Sequence, residues 1–422
     1  MSPQRLIEVW ADWEGLPEPT LMGQLFATPS RGKEIFSFEY DKAWLGSAHR
    51  VQLDPTLALY GGPQYPSSGQ TNFGVFLDSC PDRWGRSLML RREAQIAREE
   101  DREETRLLES DYLLRVHDGH RMGALRFCVD GRFQDDNDEL ASPPWTSLRE
   151  LEHASLELER DDAALDANYG RWLRMLIAPG GSLGGARPKA SILDDEGHLW
   201  IAKFPSRRDD VDVGRWESLV NELGARAGLS VPKTQLSRFG SANHTFLSRR
   251  FDRTAEGRRL HFASAMTLLE RQEGDDAVEG ASYLELADLL MRTGARTKND
   301  LEELWRRIVF FACVSNTDDH LRNHGFLLTS KGWVMAPAYD MNPDPQGEGL
   351  KLNISESDNS QSLELVLEVA PFFRLEARDA KRIVQEVVAA VSSWRPIAGR
   401  MGISTGSQDR MRRAFRLAES SS

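Results

Sequence analysis

The stretch that most limits how this chain can fold runs from residue 299 to residue 340. Apolar residues recur with a helical period over 299–314, ending in the longest apolar run of the sequence, Ile308 to Val314. The character then changes abruptly to Asn316-Thr-Asp-Asp-His-Leu-Arg-Asn-His324, followed at once by Phe326-Leu327-Leu328. A buried helix on one side and a buried strand on the other hold this polar run against the interior. Polar groups cost free energy there unless they bond something. Residues 325–328 and 333–335 read as a hairpin closed by Thr-Ser-Lys-Gly, which returns Tyr339-Asp340 to its base. Helix, polar loop, hairpin and acid therefore form one local unit.

Within that unit Asn323 follows Asp318 by five positions, the D-x-x-x-x-N spacing of kinase catalytic loops. There the Asp orients or deprotonates the acceptor hydroxyl and the Asn amide oxygen holds Mg²⁺. Mg²⁺ takes oxygen ligands and substrate phosphates, so Asn323 and Asp340 are the expected metal ligands and Asp318 the expected catalytic acid/base. The plainer reading of Asp318 and Asn323 is a polar turn capping a helix. His320 and His324 also suggest a transition-metal site on a helix, but a helix there conflicts with the strand expected from Phe326.

A nucleotide needs a phosphate cradle and a cation. Gly180-Gly-Ser-Leu-Gly-Gly-Ala-Arg-Pro-Lys189 offers main-chain amides that approach an anion closely because glycine carries no side chain. Gly181, Ser182, Gly184, Gly185 and Lys189 are the candidates there, although the stretch matches neither the P-loop nor the dinucleotide-binding pattern. In Ile201-Ala-Lys203-Phe a lone lysine sits between strand residues, as the lysine contacting α- and β-phosphates does in kinases. Glu222 on the following helix is the expected partner of that lysine, with Glu217 as the alternative. Singly, a glycine turn is ordinary and a strand lysine usually snorkels to water. The order glycine loop, lysine, glutamate, D-x-x-x-x-N and hairpin Asp is harder to meet by accident.

The rest of the chain reads as α+β. Period-two stretches at 6–10, 21–26 and 35–40 give a β-rich N-terminal module over 1–135, closed by the polar segment 131–145; the charged stretch 83–114 reads as one or two helices with a wet face. Residues 136–262 read as a nucleotide-binding α+β part, with strands at 189–193 and 199–204 and a helix at 216–227. Residues 263–422 read as a helical catalytic lobe, with helices at 283–292, 299–314 and 377–394, and 344–362 as its most loop-like stretch. The 422 residues carry 53 Lys and Arg against 65 Asp and Glu, and the net charge of −12 opposes direct nucleic-acid binding. No apolar run approaches the roughly 20 residues of a membrane-crossing helix, and the N-terminus lacks a signal-peptide core. A cytoplasmic protein away from membranes is expected. Cys80, Cys128 and Cys313 are isolated and read as small buried hydrophobes.

At these residues the sequence resembles the HipA-type serine/threonine kinases, toxins of bacterial toxin and antitoxin pairs, whose fold is two-lobed and kinase-like. The matching stretches are Gly181-Ser-Leu-Gly-Gly-Ala-Arg-Pro-Lys189-Ala, Ile201-Ala-Lys203-Phe-Pro, Asn221-Glu222 with Gly228-Leu-Ser-Val-Pro232, Arg250-Phe-Asp-Arg253, Asn316-Thr-Asp-Asp-His-Leu-Arg-Asn323 and Ala336-Pro-Ala-Tyr-Asp340. Val9-Trp10 and Gly123-Ala-Leu125 resemble the N-terminal module of the same family. The resemblance implies that Asp318 is the catalytic acid/base, that Asn323 and Asp340 bind Mg²⁺ and that Lys203 contacts ATP. It further implies autophosphorylation of Ser182, which switches the kinase off. It also implies a protein substrate among translation components, such as an aminoacyl-tRNA synthetase, and a small DNA-binding antitoxin as partner. A catalytically weak binding protein for an antitoxin, and a lipid or small-molecule kinase, are the other readings.

Overall fold

Strict alternation builds the first sheet. In β1 (Arg5–Ala11) Ile7, Val9 and Ala11 are fully buried while Leu6 is exposed, the period-two signature of a strand with one covered face. The computed structural model describes residues 4–134, 143–177 and 185–421, and by contact density they fall into two compact units. The first comprises Met1–Arg208 with Asp252–Ala263, and the second Asp209–Phe251 with Ser264–Ser422. The stretch 136–262, read from sequence as one part, is thus shared between them.

In the first unit, β2 (Thr20–Ser30), β3 (Lys33–Tyr40), β4 (Leu125–Val129) and β5 (Arg132–Phe133) join β1 in the order β3-β2-β1-β4-β5. Gly23 is required where β2 meets β3, because a Cβ there would lie 2.4 Å from the Glu39 carbonyl oxygen. Phe38, Phe73, Phe76 and Phe127 pack edge to face or tilted over the sheet, with ring centroids 5.5 to 6.4 Å apart. The charged stretch is less wet than its composition suggests. Helix α1 (Arg83–Glu99) buries Trp84, Leu88, Met89 and Ala97, and its buried Glu93 takes Arg102 at 2.7 Å. Helices α2 (Leu148–Leu158) and α3 (Tyr169–Ile177) follow, then the antiparallel hairpin of β6 (Lys189–Leu193) and β7 (Leu199–Lys203).

The second unit opens with helix α4 (Val213–Arg226) and the hairpin of β8 (Thr234–Ser237) and β9 (Thr245–Arg249). Helix α5 (Tyr283–Thr293) starts from a capping box of Ser282 and Glu285. Helix α6 (Thr297–Val314) is buried on nearly every side from Leu304 onward, so it is the axis of this unit rather than a surface helix. The expected hairpin is present as β10 (Gly325–Thr329) and β11 (Gly332–Met335), with Phe326 opposite Met335 and Leu328 opposite Trp333. Helix α7 (Ala377–Ser392) ends before Trp394, which starts a new helix and stacks on Phe415 at 4.3 Å. The result is the expected α+β chain, β-rich first and mostly helical last. All three cysteines are free and buried, and among the described residues no helix is long and apolar enough to cross a membrane.

Candidate active site

The polar run lies where α6 stops. Ser315 takes the left-handed conformation (φ 50°), which ends the helix, and its hydroxyl donates to the Ala414 carbonyl at 2.9 Å. Asn316 is buried and its Oδ1 accepts from the Asn342 main-chain N–H at 2.9 Å, while Thr317 donates to Asp344 at 3.0 Å. These bonds tie the two sides of the hairpin's base together. The turn Leu321–Asn323 then feeds β10, and Tyr339 closes the loop by donating to the Arg322 carbonyl at 2.6 Å. Directly after Tyr339, Asp340 adopts a left-handed backbone (φ 57°), a conformation an aspartate tolerates at a cost.

Asp318, Asn323 and Asp340 are brought together within this one unit. Asn323 Nδ2 donates to the main-chain carbonyl of Asp318 at 2.9 Å, which fixes the amide and leaves its oxygen as the acceptor. Asp318 reaches solvent on one side. Loss of water on its other sides raises its carboxyl above the ordinary range, and the negative charges of Asp340 and Asp319 add to that while His320 and Lys351 oppose it. Two carboxylates that repel each other beside a fixed amide oxygen form a set of hard oxygen donors with excess negative charge, and such a set fits a Mg²⁺ ion.

The neighbouring acid has a different task. Asp319 is buried, accepts from the Tyr283 hydroxyl and from the Lys351 main-chain N–H at 3.3 Å, and lies 3.6 Å from His324 Nε2. Burial first, and then the Asp319 charge, hold the Tyr283 phenol well above its usual value, so it stays a donor. His324 is packed between the rings of Tyr283 and Phe311, 5.8 and 6.1 Å away. Neither His320 nor His324 belongs to a three-residue group spaced for a metal among the described residues. Strand β10 starts at Gly325 as expected.

Lys203 ends β7 in the first unit, half-buried and opposite Lys189 in the hairpin register. Gly185 has φ 104°, and its carbonyl accepts from Lys189 Nζ at 3.2 Å. Gly181, Ser182 and Gly184 lie outside the described residues. Two of the candidates have ion-pair partners of their own. Lys189 was expected at a phosphate, but its ammonium is buried and pairs with Asp82 at 2.7 Å, because a buried ammonium needs a buried carboxylate. Glu222 was expected to hold a lysine, but it faces the surface of α4 and bonds Arg226 at 2.7 Å and Arg400 at 3.5 Å. Glu217 is the buried acid of that helix. Glu222→Ala should therefore change stability by less than about 1 kcal/mol, the worth of an exposed pair. Urea unfolding checks this, and a larger loss would return Glu222 to a structural role.

Residues 181–395, just over half of the chain, match the model of the HipA-like C-terminal domain. The chain belongs to the HipA-like C-terminal domain family. The HipA-like stretch includes Asp318, Asn323 and Asp340 together with Lys203. A Haemophilus influenzae protein named "Putative kinase" is 28% identical over 182 residues, 38% of this chain and 52% of that protein. "Putative kinase Y4mE" of Sinorhizobium fredii is 28% identical over 183 residues, 38% of this chain and 41% of that protein. The matched part spans about half or less of these relatives. Among solved structures, HipA of Shewanella oneidensis MR-1, determined with HipB and its operator DNA, superposes with a TM-score of 0.66 at 18% identity, over 98% of this chain and 97% of that one. That likeness establishes a HipA fold for the whole chain.

Proposed function

We propose that this HipA-like chain is an ATP- and Mg²⁺-dependent serine/threonine protein kinase. The observation that carries the reading is the cluster of Asp318, Asn323 and Asp340, with Asn323 bonded to the Asp318 carbonyl and Asp340 charging its surroundings. Asp318 accepts the proton of the incoming hydroxyl, and Asn323 and Asp340 are the residues that would hold Mg²⁺. Bound there, the ion neutralises phosphate charge. Lys203 is the proposed contact to ATP, resting on its place in the order of motifs. Catalysis is then mainly orientation of the hydroxyl and placement of charge.

The regulatory part of the proposal concerns Ser182, in the glycine loop. A phosphoryl group carries about two negative charges, and on Ser182 it would repel the phosphates the loop receives, turning the enzyme off. A toxin role, with a translation component as substrate and a small DNA-binding protein as antitoxin, is supported by the family and by the HipB-bound relative. Incubation with labelled ATP and Mg²⁺ followed by phosphosite mapping tests the reading. Label on Ser182 is the expected result, and no label on the chain or on any added protein would overturn it.

The metal assignment has its own test. Asp340→Asn should raise the Mg²⁺ concentration needed for half-maximal transfer at least about ten-fold, since loss of even an outer-shell partner of a metal ligand costs about 10- to 100-fold. An unchanged Mg²⁺ titration would remove Asp340 from the metal.

A further inference from the structure

Lys351 lies in the loop-like stretch 344–362, outside every motif used so far. Its main chain is pinned on both sides. The N–H donates to Asp319 Oδ1 at 3.3 Å, the carbonyl accepts from Ala277 at 2.9 Å, and Asn353 two residues on donates through its side chain to the Ala277 carbonyl at 2.9 Å. Lys351 is thereby fixed against the residue next to Asp318. Its side chain is 39% exposed and places the ammonium 2.9 Å from Asp276, itself steadied by the Val278 main-chain N–H at 2.8 Å. Among the described residues Asp276 is the one partner of that ammonium, which leaves two of its three N–H donors for another acceptor. The charges of Lys351 and Asp318 favour each other's ionised forms, in keeping with the main-chain bond that holds Lys351 to the residue next to Asp318. An exposed ion pair adds only about 0–1 kcal/mol to stability, a weak reason to fix a lysine here.

We propose that Lys351 is a catalytic cation of the phosphoryl transfer, its ammonium contacting the migrating phosphoryl group beside Asp318, with Asp276 the positioning residue that holds it. This rests on the kinase reading above. The acceptor oxygen forms its bond to the γ-phosphorus as the bond to the β,γ-bridging oxygen breaks. ADP leaves with that electron pair, and the hydroxyl proton passes to Asp318. Lys351 stays protonated throughout and matches the negative charge on the equatorial oxygens, where fixed donors act most strongly.

The full chain is incubated with labelled ATP and Mg²⁺, and single-turnover label incorporation is measured for wild type, K351M, K351R and D276A beside urea unfolding curves. K351M is expected to slow the step about 10²- to 10³-fold, as loss of one preorganised donor does, with an unchanged unfolding midpoint. K351R should recover part of the rate because it keeps the charge, and D276A should lose up to about 10²-fold through misplacement of the ammonium. An active wild type with K351M equally fast, or K351R no better than K351M, overturns the role of Lys351 and leaves the kinase reading standing. A lowered unfolding midpoint at unchanged rate makes Lys351 structural and overturns its catalytic role. A wild type that transfers nothing overturns both.

Discussion

Asp318→Asn is expected to slow phosphoryl transfer by about 10²- to 10⁴-fold, the usual contribution of a positioned base, while the protein unfolds at the same urea concentration. The two halves of this expectation have separate causes. In the proposed mechanism the carboxylate contributes chemistry: it is exposed to solvent, so an incoming acceptor hydroxyl would meet it there. It contributes little to folding because loss of water and the charges of Asp340 and Asp319 already disfavour its ionised form. Replacing it by a neutral amide removes repulsion, and the bond from Asn323 uses the Asp318 main chain, which the substitution keeps. Label incorporation and a urea curve on the same sample check both halves. Transfer at the wild-type rate would move the base elsewhere.

Asp319→Ala, one residue along, should behave in the opposite way. This carboxylate is buried and satisfies the Tyr283 hydroxyl and the Lys351 N–H from two separate segments. Deleting it leaves both donors unpaired in the interior, and each costs about 1–3 kcal/mol. A loss of about 3–5 kcal/mol is expected, the scale for removing one partner from a buried charged network, and activity falls at least as far as the folded fraction, because Lys351 loses the acceptor that fixes its main chain. Asp319→Asn, which keeps one acceptor oxygen, should recover part of the stability. Unfolding curves within 1 kcal/mol of wild type for the alanine variant would show that Asp319 does not hold the loop. Two adjacent aspartates thus separate by experiment into one that reacts and one that supports.

Why some of this was legible and some was not follows from the kind of signal each residue carries. Helix α6 and the β10–β11 hairpin were readable because their apolar period and the Thr-Ser-Lys-Gly turn are local. They fixed where Asp318, Asn323 and Asp340 had to fall. Glu217 and Glu222 lie on one helix five residues apart, pointing in different directions, and only the surrounding fold decides which direction is inside. Lys189 offered no sign of Asp82, a partner more than a hundred positions earlier in the chain. Asp318 and Asp319 sit in a loop without period, so their division of labour is invisible until the donors around them are seen. Lys351 was hidden for the same reason, inside a polar stretch whose composition says only that it is not helix or strand.

The hydroxyl of Ser315 carries one last implication. It joins the point where α6 ends to the Ala414 carbonyl, and Arg416 reaches the same hydroxyl at 3.3 Å and Gln361 at 2.7 Å. The loop that follows α6 is therefore braced by a segment that comes roughly a hundred residues later in the chain. Whatever grips or loosens that distant brace, be it a bound protein, a proteolytic nick or a sequence change, would be felt at the loop without touching it.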